Sequence, residues 1–218
     1  MLSNLKAFIF DMDGTLIDST WVWDKVDNDY FSSKNIEMPK DFRDNLEHLS
    51  FNDAVKFFKE YLNLPDSLEQ ISYELTNMAL VEYRSNVRLK PGAKEFLSSL
   101  KKKGYKLGLA TSNSVELLEL ALNGNDIYHY FDVICRTDEV SRGKNYPDIY
   151  LYTAKKLGVA PSECAVFEDI LPAVKSAKSA GMKVVAVQDD FSCSVEDKIK
   201  EVADYYINHY DDLKELMA

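Results

Sequence analysis

Apolar and polar positions fall into two regimes along this chain. Residues 6–10 (KAFIF) form an apolar run rich in aromatic and branched side chains, which predicts a buried strand. Between residues 21 and 84 apolar positions recur every three or four residues. This spacing predicts helices over 21–31, 51–61 and 68–83, with 41–49 as a candidate fourth, punctuated by Pro39 and Pro65. No strand pattern interrupts that stretch, so a small helical bundle is expected. Beyond it the regime changes. Strands are expected over 106–110, 132–135, 165–167, 184–187 and 205–207, and helices over 91–103, 115–122, 147–157, 172–180, 195–202 and 211–216. Gly104, Gly158 and Gly181 stand where three of those helices should stop. Alternating strands and helices imply right-handed crossovers and a parallel sheet covered on both faces. The expected fold is therefore α/β, a doubly wound parallel sheet formed by residues 1–17 and 85–218, with a helical domain inserted over 18–84.

In such sheets ligands bind beyond the carboxyl ends of the strands. Asp11 follows the first predicted strand, Thr111 the second, and Glu168-Asp169 the fourth, while Lys144 lies in the loop after the third. Each has a plain structural reading when taken singly. An Asp-rich turn can cap a helix, a threonine can end a strand, and a lysine can be solvated. Together they suit phosphoryl transfer, which needs an in-line nucleophile, a proton donor for the leaving oxygen, and positive charge around the phosphoryl oxygens. Asp11 can attack phosphorus. Asp13, two residues on and just before Gly14, can protonate the leaving alkoxide and later take a proton from water. Bringing Asp11, Asp13, Glu168 and Asp169 together demands a cation, because a like-charged pair at ~4 Å costs on the order of 4 kcal/mol at an effective dielectric of ~20. Mg²⁺, a hard ion with a preference for oxygen ligands, fits that demand. Lys144 adds a mobile positive charge, and the Thr111 hydroxyl with the backbone at the start of the next helix can hold a phosphate oxygen.

Composition narrows the partners. The 218 residues are 46% hydrophobic and 28% charged, with a formal net charge of −10. That acidity repels nucleic acid and anionic lipid, so neither is expected as a partner. It also means that a phosphorylated substrate must be met by local cations. No apolar run reaches the length of a membrane span, and the N-terminus lacks the pattern of a signal peptide. Cys135, Cys164 and Cys193 are scattered, without a CxxC pair, which argues against a zinc site or a disulfide framework and suits a reducing, cytoplasmic setting. A monomer is the expectation. His48, His129 and His209 lie far from the acidic clusters and read as structural or surface residues. Trp21 and Trp23 read first as core residues of the helical insert.

These residues carry a family resemblance over essentially the whole chain. The sequence resembles the haloacid dehalogenase superfamily of phosphohydrolases, and most of all the branch with β-phosphoglucomutase and small sugar-phosphate phosphatases. Asp11-Met12-Asp13-Gly14-Thr15-Leu16-Ile17-Asp18 matches the first motif of that family, and Ala110-Thr111-Ser112-Asn113 the second. Lys144-Asn145-Tyr146-Pro147-Asp148 matches the third and Phe167-Glu168-Asp169 the fourth. The resemblance implies that Asp11 is nucleophile and metal ligand, and that Asp13 is acid and base and lends its backbone carbonyl to the metal. It implies Asp169 as a further ligand, with Glu168 a ligand or a partner behind it. Thr111, Ser112, Asn113 and Lys144 would bind phosphate or substrate, and Mg²⁺ would be the cofactor. It also implies that the helical insert is a cap that closes over the site on hinges near 16–19 and 84–90, excludes water and selects substrates.

Departures from the family pattern separate hydrolysis from its alternatives. A phosphomutase must hold a second phosphate. In a rough alignment its cap arginine falls at Phe51, its histidine after the first motif at Trp23, and its lysine after the second motif at Ser114. Those replacements favour hydrolysis, and bulky Trp21, Trp23 and Phe51 hint at a partly apolar cap face. A phospho-accepting receiver domain also combines acidic residues, a Thr/Ser and a Lys on a doubly wound sheet. It lacks a 60-residue helical insert and the acid/base of Asp13. The expected function is a Mg²⁺-dependent phosphatase acting on a small phosphorylated metabolite through an aspartyl-phosphate.

Overall fold

A computed structural model describes residues 4–39, 42–46, 49 and 51–213. Two compact units divide the chain: Met1–Thr20 with Val87–Ala218, and Trp21–Asn86. In chain order the elements are β1 (Ala7–Phe10), β2 (Ile17–Asp18), α1 (Thr20–Ser33), α2 (Phe51–Tyr61), α3 (Leu68–Ser85), β3 (Arg88–Leu89), α4 (Ala93–Lys102), β4 (Lys106–Thr111), α5 (Val115–Gly124), β5 (Val133–Arg136), α6 (Asp148–Leu157), β6 (Cys164–Glu168), α7 (Leu171–Ser179), β7 (Lys183–Val187), α8 (Glu196–Val202) and β8 (Tyr205–Ile207).

The first unit is built on a six-stranded parallel sheet in the order β5-β4-β1-β6-β7-β8. The doubly wound α/β fold expected from the sequence is therefore the fold observed. Buried on both faces, β1 has no polar alternation, and all four of its residues are buried. Ala7 and Ile9 face one cluster with Ile149, Tyr150, Val166, Val174 and Val184. Phe8 and Phe10 join the aromatic side chains of Phe96, Phe167 and Tyr210, and Phe10 stacks on Phe167 at 4.6 Å between ring centroids. A buried Phe stabilises a fold by roughly 1.5–3 kcal/mol, so this layer fixes the register in which strand ends line up. Ile9 pairs with Gly108 of β4 and Val166 of β6, which brings the carboxyl ends of three strands to one edge. The antiparallel pair β2–β3 forms a separate two-stranded ribbon. Two-residue strands carry no periodic signal, and neither was expected.

The second unit is helical. α3 starts at Ser67, whose side chain accepts from the Gln70 N–H at 3.2 Å. An aromatic cluster centres on the fully buried Phe42, with the rings of Phe31 at 4.7 Å, Phe58 at 4.9 Å, Tyr61 at 5.2 Å and Phe57 at 5.4 Å. Of the candidate helix over 41–49, the described residues hold only a 3-10 turn at Arg43–Asn45. Residues 41, 47 and 48, including His48, lie outside the described residues. The predicted last helix is a 3-10 turn over Tyr210–Leu213, and 214–216 are likewise outside. Trp21 and Trp23 are half-buried rather than core residues. Val22, Val26, Tyr30 and Phe31 take the buried positions of α1, and Trp23 rests against Phe51 at 5.7 Å.

Candidate active site

The loop after β1 turns tightly. Leu16 and Ile17 both donate from their backbone N–H to the Met12 carbonyl, and the Gly14 N–H donates to the Ile17 carbonyl. Gly14 sits at φ +76°, and a Cβ there would lie 2.4 Å from Asp169 Oδ2. Only glycine fits both the backbone and the space. The Asp11 N–H donates to the Phe167 carbonyl of β6 at 3.0 Å, which ties the first acidic residue to the strand that ends in Glu168.

Three carboxylates converge there. Asp11, Glu168 and Asp169 are all buried, and one oxygen from each lies within 4.8 Å of the others. Lys144 Nζ donates to Asp11 Oδ1 and, at 2.6 Å, to Glu168 Oε1. Further partners fix the acids in place. Thr15 Oγ1 donates to Asp169 Oδ1 at 2.8 Å, and the Tyr150 hydroxyl donates to Glu168 Oε1 at 2.7 Å. The Tyr210 hydroxyl donates to the Thr15 carbonyl at 3.1 Å. Sequence reasoning passed over Thr15, Tyr150 and Tyr210. Thr15 stands inside the acidic motif and could have been found there, whereas the tyrosines carry no local signal.

Asp13 is handled differently. Its carboxylate accepts from Ser19 Oγ at 2.8 Å and from Asn113 Nδ2 at 3.0 Å, and it is not one of the three that converge. Asn113, read from sequence as a phosphate or substrate contact, thus orients Asp13. Its N–H donates to the buried Thr111 Oγ1 at 3.1 Å. Ser112 is exposed at the same strand end, and Ser114 caps α5. His129 and His209 are exposed, in line with a surface reading.

Burial dominates the electrostatics. It pushes the Asp11 carboxyl up to about 7, against the pull of Lys144 and with the help of the Glu168 charge. Asp169 is raised well above the ordinary carboxylate range, first by burial and then by Glu168, Asp11 and Asp189. Burial works against the Lys144 charge, but the Asp11 and Glu168 carboxylates override it and hold the ammonium above its ordinary range. Three carboxylates against one ammonium leave an excess of negative charge among oxygen donors. This donor set fits a hard divalent cation such as Mg²⁺.

A model of haloacid dehalogenase-like hydrolases matches residues 5–181. The chain belongs to that family. It is 31% identical to the phosphorylated carbohydrates phosphatase of Thermotoga maritima, over 82% of this chain and 83% of the relative. It is 30% identical to hexitol phosphatase B of Escherichia coli, over 84% and 83% respectively. CbbY of Rhodobacter sphaeroides, solved in complex with xylulose-(1,5)bisphosphate, shares the fold at a TM-score of 0.83 and 22% identity, over 96% of each chain. This haloacid dehalogenase-like chain is thus a hydrolase, and the matched stretch contains the three converging carboxylates, Asp11, Glu168 and Asp169.

Proposed function

We propose that the chain is a Mg²⁺-dependent phosphatase that hydrolyses a small phosphorylated metabolite, with a phosphorylated carbohydrate as the first class to test. The observation that carries this reading is the division of labour among the acids. Asp11, Glu168 and Asp169 converge with Lys144, while the Asp13 carboxylate, outside that trio, accepts from Ser19 and Asn113. Asp11, Glu168 and Asp169 would hold the ion, with the Asp13 backbone carbonyl as a further donor. When bound, Mg²⁺ offsets the repulsion among the carboxylates, favours the ionised form of Asp11, and draws charge from the phosphoryl oxygens.

The chain's own groups then divide the steps. An Asp11 carboxylate oxygen attacks phosphorus, the bond from phosphorus to the leaving oxygen breaks, and Asp13 gives that oxygen its proton. In the second half Asp13 takes a proton from water, whose oxygen attacks the aspartyl-phosphate and frees Asp11. Lys144 neutralises charge near Asp11, and Thr111, Ser112 and Asn113 with the start of α5 hold phosphate oxygens. The helical unit serves as the substrate-selecting cap, and the protein works as a cytoplasmic monomer.

A phosphomutase is the weaker reading. The relatives above at 30% identity or more are named phosphatases, and Phe51, Trp23 and Ser114 stand where a mutase would need an arginine, a histidine and a lysine. A screen of sugar, hexitol and nucleoside monophosphates with phosphate release as readout tests the proposal. Mg²⁺-dependent release is expected from at least one class. Release that persists without metal, or conversion of a sugar phosphate to its isomer without release, would overturn it.

A further inference from the structure

Two residues beyond the end of β7, Asp189 is buried, at 5% exposure, and it gathers three segments of the chain. One carboxylate oxygen, Oδ2, accepts from Lys90 Nζ at 2.8 Å. The other, Oδ1, accepts from Thr20 Oγ1 at 2.9 Å and from the Phe191 N–H at 3.0 Å. Lys90 is itself buried, at 9% exposure, and its backbone N–H donates to the Leu16 carbonyl at 2.9 Å. Burying an ion pair is costly unless the remaining hydrogen-bonding capacity is met. Here it is met by the Thr20 hydroxyl at the start of α1 and the Phe191 N–H on Asp189, and by the Gln188 carbonyl, which accepts from Lys90 Nζ. The position lies at the carboxyl edge of the sheet, yet no step of the proposed mechanism uses it.

What stands beside Thr20 gives the arrangement meaning. Thr20 is held by Asp189, and its neighbour Ser19, fully buried, donates to Asp13 Oδ1 at 2.8 Å. Thr20 Cγ2 also lies 3.0 Å from where a Gly14 Cβ would stand, so the threonine packs on the turn just after Asp13. Asn113 holds the other oxygen of Asp13 from β4's end. Asp13 is thus oriented from two sides, by Asn113 and by Ser19, whose neighbour Thr20 at the start of α1 is pinned by Asp189. We infer that Asp189, held by Lys90, is a positioning residue that sets the Asp13 carboxylate through Thr20 and Ser19. It touches neither substrate nor reacting atoms. This inference rests on the reading of Asp13 as acid and base.

A misplaced general acid is felt most where the leaving oxygen is most basic. p-Nitrophenyl phosphate releases a weakly basic phenoxide, and phenyl phosphate of nearly the same shape releases a far more basic one. The ratio of kcat/KM for the first to that for the second is the readout, with thermal unfolding as the control for folding. Asp189→Ala and Thr20→Val should raise that ratio about tenfold, within the ~10² range that a displacement of about 1 Å costs. Thr20→Ser keeps the hydroxyl and should stay within about twofold of the wild type. Asp13→Asn should raise the ratio further than either. An equal loss on both substrates in Asp189→Ala and Thr20→Val, with a lowered Tm, would assign Asp189 a purely structural role and overturn the inference. So would an unchanged ratio in Thr20→Val alongside a raised one in Asp13→Asn. An unchanged ratio in Asp13→Asn would instead overturn the acid/base reading itself.

Discussion

Asp11 in the α/β unit and Asp27 in the helical unit are both pushed up to about 7, in each case chiefly by burial. Their surroundings differ. Asp27 lies on α1, whose other buried residues, Val22, Val26, Tyr30 and Phe31, carry no charge, with Arg43 Nε 3.6 Å from its Oδ2 and the Asp24 charge nearby. Its partners come from one short stretch of a helical bundle. Asp11 ends a strand whose neighbours are fixed by register, and it meets Lys144, Glu168 and Asp169 from distant parts of the chain. A displaced carboxyl alone therefore does not mark a site. Convergence of several charged groups at one sheet edge, with Thr15 donating to Asp169 and Tyr150 joining Lys144 on Glu168 Oε1, does.

The sharpest way to break this contrast is to remove each charge in turn. Asp11→Asn should lower phosphatase turnover by at least about 10⁴-fold, the scale on which nucleophiles are lost. Asp27→Asn should leave it within about threefold, as for a substitution away from the reacting atoms. Steady-state kinetics on p-nitrophenyl phosphate measures both, and comparable losses would erase the distinction. Metal removal comes next. A chelator should lower turnover by about 10³-fold or more, and added Mg²⁺ should restore it. Binding should also raise Tm, since a ligand held only by the folded state stabilises it by mass action. The Tm gain should disappear in Asp169→Asn and survive in Asp27→Asn. Gly14→Ala ranks third. It forces a Cβ toward Asp169 at a positive φ, so it should cost about 10²-fold in kcat. It should also destabilise by roughly 1–3 kcal/mol through backbone strain.

The two units also differed in how much of them could be read from sequence. Continuous apolar runs predict buried parallel strands, and the carboxyl-end rule then puts the polar residue after each strand at one edge. That reasoning gathered Asp11, Thr111, Glu168 and Asp169. The insert's three long helices were visible in their spacing. The candidate helix over 41–49 is too long, since its described residues hold only a three-residue 3-10 turn, too short to set a period of its own. Lys90, Asp189 and Tyr150 escaped notice for another reason. Each acts through a partner distant in sequence, as with Lys90 and Asp189, 99 residues apart, and no local pattern announces such a pair. The hydrogen bond from Asn113 to Asp13 likewise spans 100 residues, so no local pattern announces it.

The smallest effect separates the two carboxyls by stability rather than by turnover. The Asp27 carboxyl titrates near 7 when folded and near its ordinary 3.8 when unfolded, so between those values the folded chain holds a proton that the unfolded chain has lost. A state that binds the extra proton is favoured at low pH. The Asp27 contribution is therefore most favourable below about 4, declines as pH rises toward 7, and is flat above it. An asparagine never ionises, so Asp27→Asn removes the decline. One pKa unit corresponds to about 1.4 kcal/mol. Allowing for the attraction of Arg43 and for water reaching the charge, the wild type should lose about 1–2 kcal/mol relative to Asp27→Asn between pH 5 and pH 8. Denaturant unfolding of both proteins at the two pH values measures that difference. A gap that stays constant would mean that Asp27 is already ionised at pH 5 beside Arg43, and that the helical unit carries its buried charge as a stable ion pair.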